Sequence, residues 1–463
     1  MTPPIAPIGL DYIAASAKKA GIDLELLDLG LADSPDEAVR EYFSKKNPEL
    51  IGLTFRNADD CFWPSADWFV PGLKETIKKI RSVTESPIVL GGIGFSIFAG
   101  EIFKEIDADF GICGDGETAL VMLINQLRNS RKFSDVPGLL WRENNTINQN
   151  APSWPEDISL GTSRELVDNL SYFKRGGQCG LETKRGCNRN CIYCADPLAK
   201  GIKLRLRNPS EVADEVQSLV NQGVDVLHIC DAEFNLSRSH AFEVCSEFNR
   251  RSLGDKVRWY TYMLPWPFDA ALAKEMSKAG CVGIDFTGDS ACESMLKTYR
   301  QQHSKDDLAT AVRLCRENDI AVMIDLLLGG PGETQDTVRE TIEFLKKINP
   351  DCVGASLGVR VYPNTAMEQI MVEELQNGNE AAIRRKYKGE INLLKPTFYI
   401  SRALGDNPAE YVKDLINGDQ RFFEPAGENT ADYNYNDNSL LIKAIENGER
   451  GAYWHILHKI RSN

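Results

Sequence analysis

Histidine is scarce in this sequence: there are five among 463 residues, at positions 228, 240, 303, 455 and 458, so the N-terminal region has no imidazole to offer a metal. No apolar run is long enough to span a bilayer, and the start lacks the charged-then-apolar pattern of a signal peptide. No membrane span is therefore expected, and the location expected is cytoplasmic. Positive charge is also short. The 53 Lys and Arg against 67 Asp and Glu leave a formal charge of -14, which repels a phosphate backbone and makes nucleic acid a poor substrate. Internal repeats and low-complexity tracts are absent. Cysteine is not scarce, at 12, but residues 1 to 150 hold only Cys61 and Cys113. In a reducing compartment scattered cysteines read as small core residues and clustered ones as metal ligands.

The length fits two or three domains. Over the first ~130 residues, β-rich runs alternate with amphipathic stretches, the pattern of a parallel sheet covered by helices. Strands are expected at 22–29, 49–55, 87–93 and 109–114, and helices near 9–20, 35–46, 66–82, 96–106 and 117–129. A hairpin, "GLLWRENNTINQ", and a Pro-containing stretch then read as a linker. From 181 to about 370 six further candidate strands, "GLETKRG", "VDVLHICDAEFN", "VRWYTYML", "CVGIDFTGD", "AVMIDLLLGGPGET" and "CVGASLGVRVYP", are separated by helix-length sequence. The expected fold class is thus α/β: a flavodoxin-like, Rossmann-type domain (1–135), a linker with hairpin (136–165), an open (β/α)6 barrel (166–370) and a small, mostly helical C-terminal extension (371–463). In that extension "GENTADYNYNDN" reads as a loop and "GAYWHILHKI" as part of a terminal helix. Ligands of parallel α/β folds bind beyond the carboxyl ends of the strands.

Directly after the first of the six strands, "ETKRGCNRNCIYCADP" sets Cys187, Cys191 and Cys194 at Cys-x3-Cys-x2-Cys spacing. Four thiolates would complete the ligation of a cubane iron-sulfur cluster, whereas three leave one iron open to a substrate or cofactor. Structural zinc needs four ligands, and no second Cys or His pair with suitable spacing accompanies these. The motif, with Tyr193 as the aromatic before the last cysteine, resembles the radical S-adenosylmethionine (SAM) superfamily. That resemblance implies a [4Fe-4S] cluster whose open iron chelates the amino and carboxylate groups of SAM, and reductive cleavage of SAM to a 5'-deoxyadenosyl radical.

The same resemblance implies SAM contacts at other strand ends. They are Asp231 and Glu233 in "CDAEF", Asp285 and Thr287 in "DFTGD", Gly329 and Gly330 in "LGGPGET" for the adenine, and Arg360 in "GVRVYPNT"; Tyr193 is counted with them. The N-terminal segments "PIAPIGLDYIAASAKKAGIDLELLD", "LGGIGFS" and "GICGDGET" resemble the cobalamin-binding domain fused before many such barrels. Gly91, Gly92, Gly94, Gly114 and Gly116, with Ser96 and Glu117, would then approach the nucleotide tail. With no histidine in that domain, the lower corrin face is expected to meet Thr54, Arg56 and Asn57. The family's usual strand before the Pro-x-Gly-Leu-like segment has no room in a chain that begins at "MTPPIAPIGL", so another segment is expected to replace it, or the start to be truncated.

The expected function is a cobalamin-dependent C-methyltransferase acting on a small organic substrate, with a reducing partner such as flavodoxin or ferredoxin. The alternatives are rearrangement, cyclisation or oxidation on the same cofactors, and, in a different class, an iron-sulfur electron carrier or ligand-binding protein. The related tRNA methylthiotransferases carry a second three-cysteine set that this N-terminal region lacks. Substrate-facing residues are sought in "WYTYMLPWPF" (259–268) and "NYNDN" (434–438); no general acid or base is assigned.

Overall fold

The computed structural model describes all residues except 1, 145, 159, 427–434 and 463, so most of the expected loop "GENTADYNYNDN" lies outside the described residues. In the N-terminal domain the strands Ile51–Thr54, Ile88–Gly91 and Phe110–Ile112 pair in parallel, in chain order. Helices Ile8–Lys19, Pro35–Lys45, Val70–Arg81 and Gly116–Arg128 lie where periodicity places them. The helix expected at 96–106 starts earlier, as Ile93–Ile97, breaks at the buried Phe98 and resumes as Ala99–Glu105.

Two expectations are corrected. Residues 22–29 join no ladder. A strand presents alternate side chains to one face, but here Leu24 packs with Ala17 and Ile124, Leu26 against the barrel core, and Leu27 and Leu29 in the core of the N-terminal sheet. The segment straps three cores together and cannot serve one sheet. The hairpin is no linker either: Leu139–Glu143 pairs antiparallel with Phe110–Ile112 and with Thr146–Gln149, burying Leu139 and Leu140 at the end of the same sheet.

The second domain has six parallel strands in chain order: Cys179–Leu181, Val226–Ile229, Arg258–Met263, Cys281–Asp289, Ala321–Leu328 and Cys352–Leu357. Their outward side chains form one core with the surrounding helices. Several of those helices start on side-chain caps; Ser304 and Asp307 form a capping box before Lys305–Arg316. The C-terminal extension is less helical than expected. It adds Phe422–Phe423 beside the sixth strand, and Ile383–Arg385 and Thr397–Tyr399 in a small antiparallel sheet with Val359–Arg360. Its last helix, Tyr453–Ser462, brings Trp454 under the barrel, where it packs with Val226, Tyr260, Met323 and Cys352 and plugs the end away from the carboxyl ends of the strands.

Buried charge joins the domains. Asp11 of the first helix accepts from Arg164 Nε (2.7 Å), and Glu215 of the barrel accepts from Arg164, from Arg207 and from the Tyr12 hydroxyl (3.0 Å). All three cation–carboxylate pairs of this network are essentially inaccessible to water. The carboxyl ends of the N-terminal strands are thereby held facing the barrel mouth.

Candidate active site at the barrel mouth

After the first barrel strand the chain forms a short ladder, Lys184–Arg185 against Arg205–Leu206, and the loop it closes carries the three cysteines. Gly186 turns that loop with φ of 85°, and a Cβ there would collide with the Lys203 carbonyl. The Cys187 N–H donates to Gly201 O (3.1 Å) and the Cys194 N–H to Cys191 O (3.3 Å). All three thiols are free. Gln301 Nε2 donates to Cys191 Sγ (3.4 Å). Burial pushes the thiols up, Cys191 to about 12. Such sulfurs become thiolates readily when a metal compensates the charge. Three soft ligands in one loop, one of them with a hydrogen-bond donor, fit an iron-sulfur cluster with one open iron; among the described residues no three His, Cys, Asp or Glu converge on a single-ion site.

Around the cysteines lies a polar shell. The Tyr193 hydroxyl donates to Asp289 Oδ2 (2.7 Å), and Gln301 Nε2 donates to the same oxygen (2.5 Å). Thr287 donates to Glu233 Oε1 (2.6 Å), while Glu233 Oε2 is buried without a partner. Burial raises Glu233 to about 7 and Asp289 to about 6. An orphaned buried carboxyl close to the cysteines suits a ligand that brings its own positive charge or hydrogen-bond donor.

Several residues expected to touch ligands are committed elsewhere. Asp231 accepts from the backbone N–H groups of Thr183 (2.7 Å) and Lys184 (3.3 Å) and from the Thr183 hydroxyl, so it fixes the end of the first strand. Arg360 is buried on Asp59 (2.8 Å) and donates to the carbonyls of Val361, Thr397 and Leu393, leaving no donor for SAM. The N–H groups of Gly329 and Gly330 both go to Glu333 Oε2, and a Cβ on Gly330 would strike the Tyr299 hydroxyl. The missing side chain of Gly330 makes room for Tyr299. Glu117 pairs with Arg185 (2.8 Å) across the domains.

In the N-terminal domain Gly92 (φ 103°) and Gly94 let the helix at 93 abut the preceding strand loop. A Cβ would lie 2.6 Å from Phe55 O or 2.9 Å from Arg56 O. Ser96 accepts from the Gly114 N–H (3.1 Å) and donates to Gly92 O, tying the two glycine loops together. Gly114 is covered by Pro152 and Trp154, Gly116 lies on Ile13, and Gly91 has no side-chain neighbour. The loop so braced presents Thr54, Arg56 and Asn57, all exposed, toward the barrel, where the Arg56 charge acts on His228, Cys230 and Tyr262. The surface facing the barrel is thus a polar, histidine-free platform, which fits a corrinoid without an imidazole beneath it.

Asp289, Gln301, Asp325 and His228 were not singled out from the sequence. The available signal was an acid or histidine inside an otherwise apolar strand, where an uncompensated polar group is costly; Gln301, in a loop, gave none.

The B12 binding domain profile matches residues 2–124 and the Radical SAM superfamily profile residues 181–345. Tryptophan 2-C-methyltransferase of Streptomyces laurentii is 26% identical, covering 98% of this chain and 93% of its own length. Two structures of the radical SAM methyltransferase TsrM from Kitasatospora setae superpose along the chain. One, with cobalamin and a [4Fe-4S] cluster bound, has a TM-score of 0.90 at 27% identity over 100% of this chain and 96% of its own. The other, with tryptophan and a SAM analogue, has a TM-score of 0.91 at 28% identity over 99% and 96%. With three free cysteines at the barrel mouth and a histidine-free platform opposite, this chain belongs to the cobalamin-binding radical SAM superfamily and is a radical SAM methyltransferase whose cofactors are a [4Fe-4S] cluster, SAM and cobalamin.

Proposed function

We propose that this enzyme methylates a carbon of a small aromatic substrate, with tryptophan or a close indole relative as the first candidate. The observation that carries this reading is a pair of accessible tyrosines, Tyr262 and Tyr435, close to Asp285 and Asp325 on the side of the barrel that Arg56 faces. Tyr262 keeps 42% of its surface accessible and Tyr435 36%, although protein surrounds both phenols, as happens for side chains lining an internal cleft. Such walls suit a flat ring. The relative along nearly the whole chain that methylates tryptophan supports the choice.

The cofactors, when bound, supply a methyl group that can be delivered to carbon, and SAM cleavage where hydrogen must first be removed. The protein's share is positioning. Cys187, Cys191 and Cys194 would hold the cluster, with Gln301 steadying one sulfur and Asp289; Glu233 and Thr287 would meet the SAM amino group. Thr54, Arg56 and Asn57 would lie beneath the corrin, and the buried charge network would keep the two platforms facing each other with the substrate between them. A flavodoxin or ferredoxin of the cytoplasm would serve as reductant.

The test is anaerobic turnover of the reconstituted protein with tryptophan, reductant and SAM carrying a deuterated methyl group. Label should appear on a carbon of the product with matching S-adenosylhomocysteine. Accumulation of 5'-deoxyadenosine alongside an unlabelled product would instead establish a rearrangement or oxidation.

A further inference from the structure

Side chains alternate along each barrel strand, and the inward ones form layers. The lowest is the apolar plug of Val226, Tyr260, Met323 and Cys352 on Trp454. The uppermost is the shell of Glu233, Thr287 and Asp289 beside the cysteines. Between them lie His228, Tyr262, Asp285 and Asp325. Across the strands Tyr260 stands opposite His228, Tyr262 opposite Asp285, and Asp325 between Thr287 and Gly354. A Cβ on Gly354 would collide with Asp325 Oδ1, so the sixth strand leaves this carboxyl its room.

This middle layer is polar, deep and incompletely satisfied. Asp285 is 6% exposed and its Oδ1 has no partner. His228 is 5% exposed, both its ring nitrogens lack partners, and its ring packs edge-on against Tyr262 at 5.0 Å. Burial and then Asp325 push Asp285 far up; burial and then Asp289 raise Asp325 to about 7. Among the described residues no lysine or arginine offsets either carboxyl. A buried acid, Asp285, next to a half-buried one, Asp325, is costly to ionise unless a ligand brings a cation. The orphaned histidine beside them is an independent sign that the layer is completed by something from outside. Arg56 is the nearest charge over the His228 side, and it stands on the opposite, corrin-facing platform.

We infer that Asp285 and Asp325 together bind a primary ammonium group of the substrate, with Tyr262 and His228 walling the same subsite. The substrate class is therefore an aromatic amine or amino acid, its amino group pointing down the barrel and its ring toward the mouth. This rests on the reading of a small-molecule methyl acceptor and deepens it. It also moves Asp285 from the SAM contacts expected of "DFTGD" to the substrate, one layer below Thr287.

The test uses the cofactor-loaded protein and titration calorimetry with three probes: tryptamine, phenethylamine and indole-3-propionate. The amines should bind about 10- to 100-fold more tightly than the carboxylate, the range a charge-assisted hydrogen bond supplies. Asp285→Asn and Asp325→Asn should each remove most of that preference while leaving indole-3-propionate affinity, SAM binding and cluster absorbance unchanged. Wild-type protein that binds the carboxylate as well as the amines, or binds none of the three, overturns the inference, and so do folded variants that keep the amine preference. The wild-type preference alone decides the matter if a variant does not fold. Amine preference with no methylation of tryptophan would remove the proposed reaction and leave the subsite standing.

Discussion

Arg360, beside the sixth barrel strand, and Asp59, in the N-terminal domain, meet at 2.8 Å although 301 residues separate them, and both side chains are almost wholly buried. Like the Asp11, Arg164 and Glu215 network, the pair ties the N-terminal domain to the barrel. Removing one partner leaves an uncompensated buried charge. Asp59→Asn should therefore lower stability by about 3–5 kcal/mol, measured by urea unfolding. Asp59→Leu with Arg360→Met should recover part of that loss, which a merely cosmetic contact would not predict.

Replacing Cys187, Cys191 and Cys194 together with Ala should abolish the broad iron-sulfur absorption and SAM cleavage at once. Retention of a full cluster by the triple variant would refute their assignment as its ligands.

The donor on Cys191 makes Gln301 a positioning residue with an electrochemical signature. An N–H bond to a ligating sulfur stabilises the reduced, more negative cluster. Gln301→Leu should shift the cluster to a more negative potential in a redox titration followed by paramagnetic resonance, with iron content unchanged.

Cobalamin should bind without a nitrogen beneath the cobalt, because no histidine stands on the platform of Thr54, Arg56 and Asn57. The cob(II)alamin spectrum should lack nitrogen superhyperfine splitting. Clear splitting would contradict it.

Glu333 is wholly buried, accepts from two backbone N–H groups and is pushed up to about 7 by burial. An acid with a raised folded pKa keeps its proton in the native state where the unfolded chain has lost it. Stability should therefore fall as pH rises from the ordinary glutamate value toward 7, by on the order of 3 kcal/mol, and level off above. Glu333→Gln should flatten that part of the thermal-midpoint profile between pH 5 and 8.

The proposed cluster cysteines could be picked out because Cys187, Cys191 and Cys194 sit in one short loop, where their grouping is set by local spacing. The barrel strands were legible because burial on both faces makes each an apolar run of fixed length. The N-terminal strand expected at 22–29 was not, since its leucines satisfy a strand pattern whether they serve one sheet or three cores. Asp231, Asp285 and Arg360 read alike as polar residues near strand ends. Only the closed structure separates them: Asp231 meets the backbone of Thr183, Arg360 meets Asp59, and Asp285 keeps an unpartnered oxygen over the lumen. Sequence by itself determined the grouping of the three cysteines and the order of the domains, because these depend on neighbours along the chain. Which buried polar groups remain free for a ligand was decided by tertiary structure, because hydrogen-bond satisfaction depends on partners that may lie hundreds of residues away.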